Sequence, residues 1–414
     1  MSEKCPAGDP AAAIAWLRTP QAIRERSANV LAAGERDALR HFAIERARLD
    51  AAADYVIATM RANYPSLEVP YHSRWRHFAV GGRDRWSALS REIGHLGADE
   101  IARIRFDLAV VSVFLDAGAG DAWRYVEPAT GAVLARSEGL AAASFDLFVA
   151  GICSTDPAQP LRADAAALAA IGRDTLARAF QVRDDNPLAG LDGRAELLRR
   201  LGQAIAAKRM FGTPARIGGL FDHLVAQARD GRLPAPAILR AVLEGFAEIW
   251  PGRIELAGVN LGDVGRHPTA GGDGPTAGLV PFHKLSQWLA YSLVEPLEDA
   301  GIAVVDLDRL TALAEYRNGG LLIDLGVLVP KHAGVLAEPH EGASEPVVEW
   351  RALTVALIDE LADRIRTKLG MTAAELPLPK ILEGGTWSAG RRIAAQLRPG
   401  GGPPLDVISD GTLF

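Results

Sequence analysis

Apolar residues recur along most of the chain at intervals of three and four, the spacing of one helical face. The pattern begins near Ala11 with Ile14 and Leu17, restarts at Pro20, and predicts one long helix from Gln21 to about Asn63. The Arg and Glu residues of that run fall as i,i+4 pairs and read as a solvated face. Asn63-Tyr64-Pro65 and Val69-Pro70 end it. Further helices are expected over 101–117, 140–152, 164–180, 193–209, 234–249 and 347–369, with a last one opening at 382–387 and running to about 397. Two short stretches read instead as hairpins: 123–135 around Pro-Ala-Thr-Gly, and 253–261 around Ala257-Gly258. Helices with isolated hairpins predict a mainly α, multi-helix globular fold and argue against a βαβ sheet. The glycine-rich stretch 262–278 reads as a lid or a disordered connection, and 331–346 as a second flexible stretch. Residues 1–10 are expected to be a mobile tail, and 405–414 to hold a short extended piece. The remaining chain, 11–414, is expected to form one large domain, with lobes 11–155 and 156–414 as a finer division.

The chemistry concentrates between Gly278 and Val329. Pro281 suits a first helical position, and Phe282, Leu285, Leu289 and Leu293 follow at helical spacing. Pro296 and Gly301 end the run. A second helix is predicted over 308–317, a turn at Asn318-Gly319-Gly320, and a third apolar segment over 321–329. Lys284 interrupts the first helix, on a face that also carries Trp288 and Tyr291. Glu315 lies between Leu313-Ala314 and Tyr316. Two readings fit: ordinary structural or solvated charges, or a Lys/Glu pair in a pocket with Tyr316 and Arg317 beside it. Upstream, Tyr71–Phe78 places His72, Arg74, Trp75, Arg76 and His77 within eight residues. That run is either a loop whose aromatics plug the core, or a site for a phosphate plus a flat ring.

Composition narrows the function classes. With 414 residues, 49% hydrophobic and 23% charged, the chain is an ordinary globular protein. A net charge of −6 argues against a nucleic-acid polymer or an anionic membrane as the partner. Two cysteines, Cys5 and Cys153, make neither a disulfide framework nor a zinc site. The cytoplasm is therefore the expected compartment, since the N-terminus also has no apolar signal core. His332 and His340 do not form a helical metal pair, and no GxSxG or Walker pattern occurs. No metal and no cofactor are expected.

Two resemblances add to this. F-H-K-L-S-Q, followed by L-T-A-L-A-E-Y-R and L-G-V-L, resembles the core of the queuosine-nucleotide salvage N-glycosidases. Those proteins are all-helical and similar to helix-hairpin-helix DNA glycosylases, so the resemblance implies that fold here. It sets Lys284 at that family's lysine and Glu315 at its aspartate, one methylene longer. It continues in patches at E-P-V-V-E-W-R-A and F-D-L-A-V-V-S-V-F-L-D. A second likeness covers nearly the whole chain. V-P-Y-H-S-R-W-R-H-F, S-E-G-L-A-A-A-S-F-D, L-V-P-F-H-K-L-S-Q-W-L, Y-R-N-G-G-L, V-E-W-R-A-L-T-V-A-L and L-E-G-G-T-W-S-A-G-R are similar to the bacterial and fungal family associated with the Urc route of uracil breakdown, whose biochemical function is unassigned.

Together these imply a hydrolase of uracil or pyrimidine catabolism. The expected reaction is N-ribosidase cleavage of the ribose C–N bond in a pyrimidine nucleotide or a ring-opened ribosylurea-type derivative. Glu315 would stabilise the oxocarbenium-like state or activate water. Lys284 would orient Glu315 or contact phosphate or leaving-group oxygens. The expected substrate contacts are His72, Arg74, Trp75, Arg76, Asp107, Glu138, His283, Trp288, Tyr316, Arg317, Glu349 and Arg351. The partner is expected to be a small nucleoside- or nucleotide-like molecule, with the oligomeric state open. Two alternatives stay open: an amidohydrolase-like enzyme acting on a ureido intermediate, or a non-catalytic protein that channels a labile one.

Overall fold

Helix Glu345–Leu369 is the longest element, and its sequence accounts for its length. Val347, Trp350, Ile358, Leu361 and Ile365 lie on one buried stripe. Pro346 sits in the first turn, where its missing N–H is not needed. Gly370 ends the helix in the left-handed region (φ 66), and Arg366 and Lys368 complement the negative end of the dipole. Against this helix pack Pro20–Glu35, Leu49–Asn63 and Tyr316–Asp324. Ser388–Leu397 lies against Tyr316–Asp324 and Leu49–Asn63.

This computed structural model describes residues 9–250 and 254–408. Most of the expected N-terminal tail, Arg253 of the second hairpin and the end of the extended C-terminal piece lie outside the described residues. The chain divides into two compact units. One comprises 9–72, 254–287 and 306–408; the other comprises 73–250 and 288–305. In the second unit, Ala98–Phe114 packs with Arg136–Val149, Gly219–Val225 and Val294–Asp299. Leu191–Ala206 packs there with Ala165–Ala170, Arg173–Ala179 and Ala235–Phe246.

The protein is mainly helical, as its periodicity predicts, and all seven sheets among the described residues have two strands. Both expected hairpins form: Tyr125–Val126 with Val133–Leu134, and Glu255–Leu256 with Val259–Asn260. Ala257 (φ 50) and Gly258 (φ 75) make the tight turn of the second. Two parallel pairs were not expected: Arg232–Pro234 with Ala303–Val305, and Pro339–Glu341 with Asp406–Ile408. The second of these, with helix Gly334–Ala337, replaces the flexible stretch expected over 331–346. No helix among the described residues is long and apolar enough to cross a membrane.

Several helix boundaries differ from the reading of the sequence. The run 21–63 is two helices, because Asp37 turns the chain (φ 56) and Phe42–Ile44 pairs with Leu328–Pro330. The stretch 164–180 is likewise two helices, Ala165–Ala170 and Arg173–Ala179. Pro281 ends the strand Leu279–Pro281, and the helix starts at Lys284. Over 308–317 there is only a short 3-10 turn, Leu307–Arg309, and the true helix is Tyr316–Asp324. Asn318-Gly319-Gly320 therefore lies inside a helix rather than in a turn. These glycines serve close packing. A Cβ on Gly319 would sit 2.6 Å from the Trp350 indole, and one on Gly390 would sit 2.2 Å from the Arg317 carbonyl oxygen. Before Ser388–Leu397 runs a seven-residue π-helix, Ile381–Trp387, in place of a plain helix start.

Gly319→Ala separates the two roles of a helical glycine. Helix propensity alone would make alanine more stable by about 1 kcal/mol. The collision with Trp350 is expected to reverse that sign and cost about 1–3 kcal/mol, read from urea unfolding midpoints.

Candidate functional site

Arg351 projects from the inner face of Glu345–Leu369 and is buried, as is its partner Asp263. Nη1 and Nη2 each donate to one Asp263 carboxylate oxygen at 2.8 Å, and Phe282 lies with its ring centroid 4.0 Å from the guanidinium carbon. Burial acts to raise the Asp263 pKa, but the Arg351 charge and hydrogen bonds outweigh it and hold the group at about 2. Asp263 also fixes the next helix. Its carboxylate accepts the Lys284 N–H (3.0 Å), and its carbonyl accepts the N–H groups of Phe282 and His283. Arg351 Nε donates to the Ala314 carbonyl at 3.2 Å. One guanidinium thus ties the start of the Lys284 helix to the residue before Glu315.

Glu315 is buried and stands as the N-cap of Tyr316–Asp324. Its two carboxylate oxygens accept from the backbone of Arg317 (2.7 Å) and Asn318 (2.6 Å). Lys284 is half-buried at the head of its own helix. The Arg317 guanidinium lies over the half-exposed Tyr316 ring and donates to the Gly401 carbonyl at 2.7 Å. Three buried polar atoms in these two segments lack a hydrogen-bond partner: Gln287 Oε1, Asn318 Oδ1 and Arg317 Nε. Gln287 follows Lys284 by three residues and Asn318 follows Glu315 by three. Buried polar atoms left unpaired are costly, so they point to something polar that satisfies them.

The stretch 262–278, read as a lid or as a disordered connection, holds regular structure. Val264–Arg266 pairs with Leu279–Pro281, and His267 Nε2 lies 3.2 Å from Glu349 Oε2. Glu349 Oε1 accepts the N–H groups of His41 (3.1 Å) and Phe42 (2.8 Å). Glu349 therefore sits among other partners than Glu315. His283 is buried with positive φ (47), and its Nε2 lies 3.0 Å from the Leu17 carbonyl. Burial pulls its pKa down to about 4, against the pull of Asp263, so the ring is neutral at pH 7. His72 pairs through Nδ1 with Glu383 at 2.7 Å, beside Trp387.

The other expected contacts belong to the second unit. Arg74 is buried, donating to Asp116 (2.6 Å) and Ser112 (2.7 Å), with the Trp288 ring beside its guanidinium. Trp75 donates to the Ser292 carbonyl, and Arg76 pairs with Glu295. Asp107 accepts from Arg216 (2.6 Å) and Gly218 (2.7 Å), and burial, against Arg216, pushes it up to about 7. Glu138 is half-buried in the first turn of Arg136–Val149.

Asp263, Gln287 and Asn318 were not among the residues expected at the candidate site. The Gln287 and Asn318 signals were present, since both lie in the motif runs that carry Lys284 and Glu315. Asp263 carries no local signal, because its partner is 88 residues away.

A family profile described as "Protein of unknown function (DUF1688)" matches residues 16–414. The chain is similar to Protein urg3 of Schizosaccharomyces pombe, 38% identical over 409 residues, covering 97% of this chain and 99% of that protein. It is also similar to Uracil catabolism protein 4 of Lachancea kluyveri, 36% identical over 439 residues, covering 97% of this chain and 99% of that protein.

Arg351→Met leaves Asp263 buried without its counter-charge and is expected to cost about 3–5 kcal/mol in urea unfolding. Adding Asp263→Asn should recover part of that loss. For His283, a folded pKa below the unfolded value contributes stability present above about pH 6.5 and lost as pH falls through about 4. Its ring resonance should titrate near pH 4 by NMR. His283→Gln should flatten this part of the pH–stability curve.

Proposed function

The chain belongs to the family described as "Protein of unknown function (DUF1688)", and on that premise we propose that it is an N-ribosidase of uracil catabolism. The substrate class is a pyrimidine nucleotide or a ring-opened ribosylurea-type derivative, met as a small molecule in the cytoplasm rather than within a nucleic-acid polymer. The kinship in mechanism and architecture is with the helix-hairpin-helix glycosylases. The uracil link comes from the name of the Lachancea kluyveri relative.

The observation that carries the reading is the set of unpaired buried atoms on Gln287, Asn318 and Arg317, in the segments that carry Lys284 and Glu315. A ureide or pyrimidine supplies N–H donors for the two amide oxygens, and a ribose or phosphate oxygen suits the guanidinium. Glu315 is held rigidly by two backbone N–H groups, yet each carboxylate oxygen keeps a lone pair. As the C1′–N bond lengthens, positive charge builds on the ribose, and a fixed carboxylate stabilises it. Water then bonds to C1′ and gives a proton to Glu315. The leaving nitrogen keeps the bonding electron pair and takes a proton from solvent. Lys284 offsets the negative charge that develops on the leaving group.

Purified protein incubated with UMP, ribosylurea and ribosylurea phosphate is expected to release ribose or ribose phosphate from at least one. Release from none of them overturns the proposal. Glu315→Gln should lower turnover by roughly 10²–10⁴, with the helical CD spectrum retained. Turnover within threefold of the wild type would remove Glu315 from the reaction.

A further inference from the structure

The first unit carries a second concentration of charge that the ribosidase reading does not use. Glu345 and Glu349 are one turn apart on Glu345–Leu369, an i,i+4 arrangement in which like charges repel. His41 faces both. One ligand atom from each of the three residues lies within 4.8 Å of the others. His41 Nε2 is 4.0 Å from Glu345 Oε1, beyond hydrogen-bond reach, and is buried with no partner. Its other nitrogen, Nδ1, is 2.9 Å from His332 Nε2. With the Nδ1 proton donated to His332, Nε2 turns a bare lone pair toward two carboxylates. With the proton on Nε2 instead, a buried donor is left unsatisfied. A cation resolves both conditions.

We propose that His41, Glu345 and Glu349 form a binding site for a divalent transition ion of the zinc or manganese class. One imidazole and two carboxylates, with a water in the open position, suit that class better than an all-oxygen magnesium site. The outer partners match what such sites use. His332 orients His41, and Arg40 holds the far oxygen of Glu345 (3.1 Å). Thr269 donates its N–H to His267 Nδ1, which leaves a proton on His267 Nε2 for Glu349 Oε2. Glu349 Oε2 keeps a further lone pair for the ion. Ligand atoms at about 2.1 Å from one tetrahedral ion sit roughly 3.4 Å apart. The cluster must therefore contract by roughly an ångström, which Glu345 permits as the half-buried first residue of its helix. The ion would bind the segment before Phe42–Ile44 to the head of the longest helix.

The test uses the full chain, dialysed against chelator and then titrated with Zn²⁺ or Mn²⁺ by calorimetry. Co²⁺ titrated in parallel reports imidazole and carboxylate ligation through its visible spectrum. The expected result is one ion per chain, weakened at least tenfold by Glu345→Gln and by His41→Gln. CD melts confirm that each variant is folded. No saturable binding overturns the proposal, and so does binding that both ligand variants leave unchanged. These readouts need no turnover, so their failure is distinct from failure of the ribosidase reading.

Discussion

The buried pair between Arg351 and Asp263 is the constraint on which the candidate site depends. Two charges removed from water cost several kcal/mol each, and attraction repays this only where the geometry is good and the remaining donors are used. Both conditions hold. The contact is bidentate, the spare Nε reaches the Ala314 carbonyl, and the spare Asp263 capacity caps the helix at Lys284. Removing either charge would strand the other. The pair therefore anchors the start of 262–278 and ties the head of the Lys284 helix to the residue before Glu315.

The glycine-rich stretch shows why composition misled. Its neighbours in sequence say nothing about a salt bridge to a helix almost ninety residues on, and glycine content alone reads as mobility. The same stretch is held a second time through His267 and Glu349. Gly271 and Gly272 there give room to Asn29 and Arg26, so their small size admits partners rather than motion. Asn318-Gly319-Gly320 taught the same lesson in a helix. Local hairpins were legible because their turn chemistry lies within four residues. Helix existence was mostly legible from period, while boundaries set by distant strands, as at Phe42–Ile44, were not.

Glu315 was identifiable as a residue but not as a cap. Sequence rules favour Ser, Thr, Asp or Asn in that position, so a Glu there draws no attention. Its longer arm still spans both the second and third amides of the helix. In the proposed ribosidase reaction, a carboxylate so held would not need to reorganise as charge develops opposite it, which is the condition for strong electrostatic stabilisation. The backbone at Lys284 is likewise held by a carboxylate, that of Asp263 on its N–H.

The first unit is built from three separated stretches, 9–72, 254–287 and 306–408. Two of its early helices, Pro20–Glu35 and Leu49–Asn63, find the face they pack against on Glu345–Leu369, roughly three hundred residues later. During synthesis the early helices therefore wait, with apolar stripes uncovered, while the intervening unit emerges and closes. Such long-range closure slows folding and lengthens exposure to aggregation. Completion of this unit thus waits on its C-terminal helices, which supply the apolar faces its early helices need.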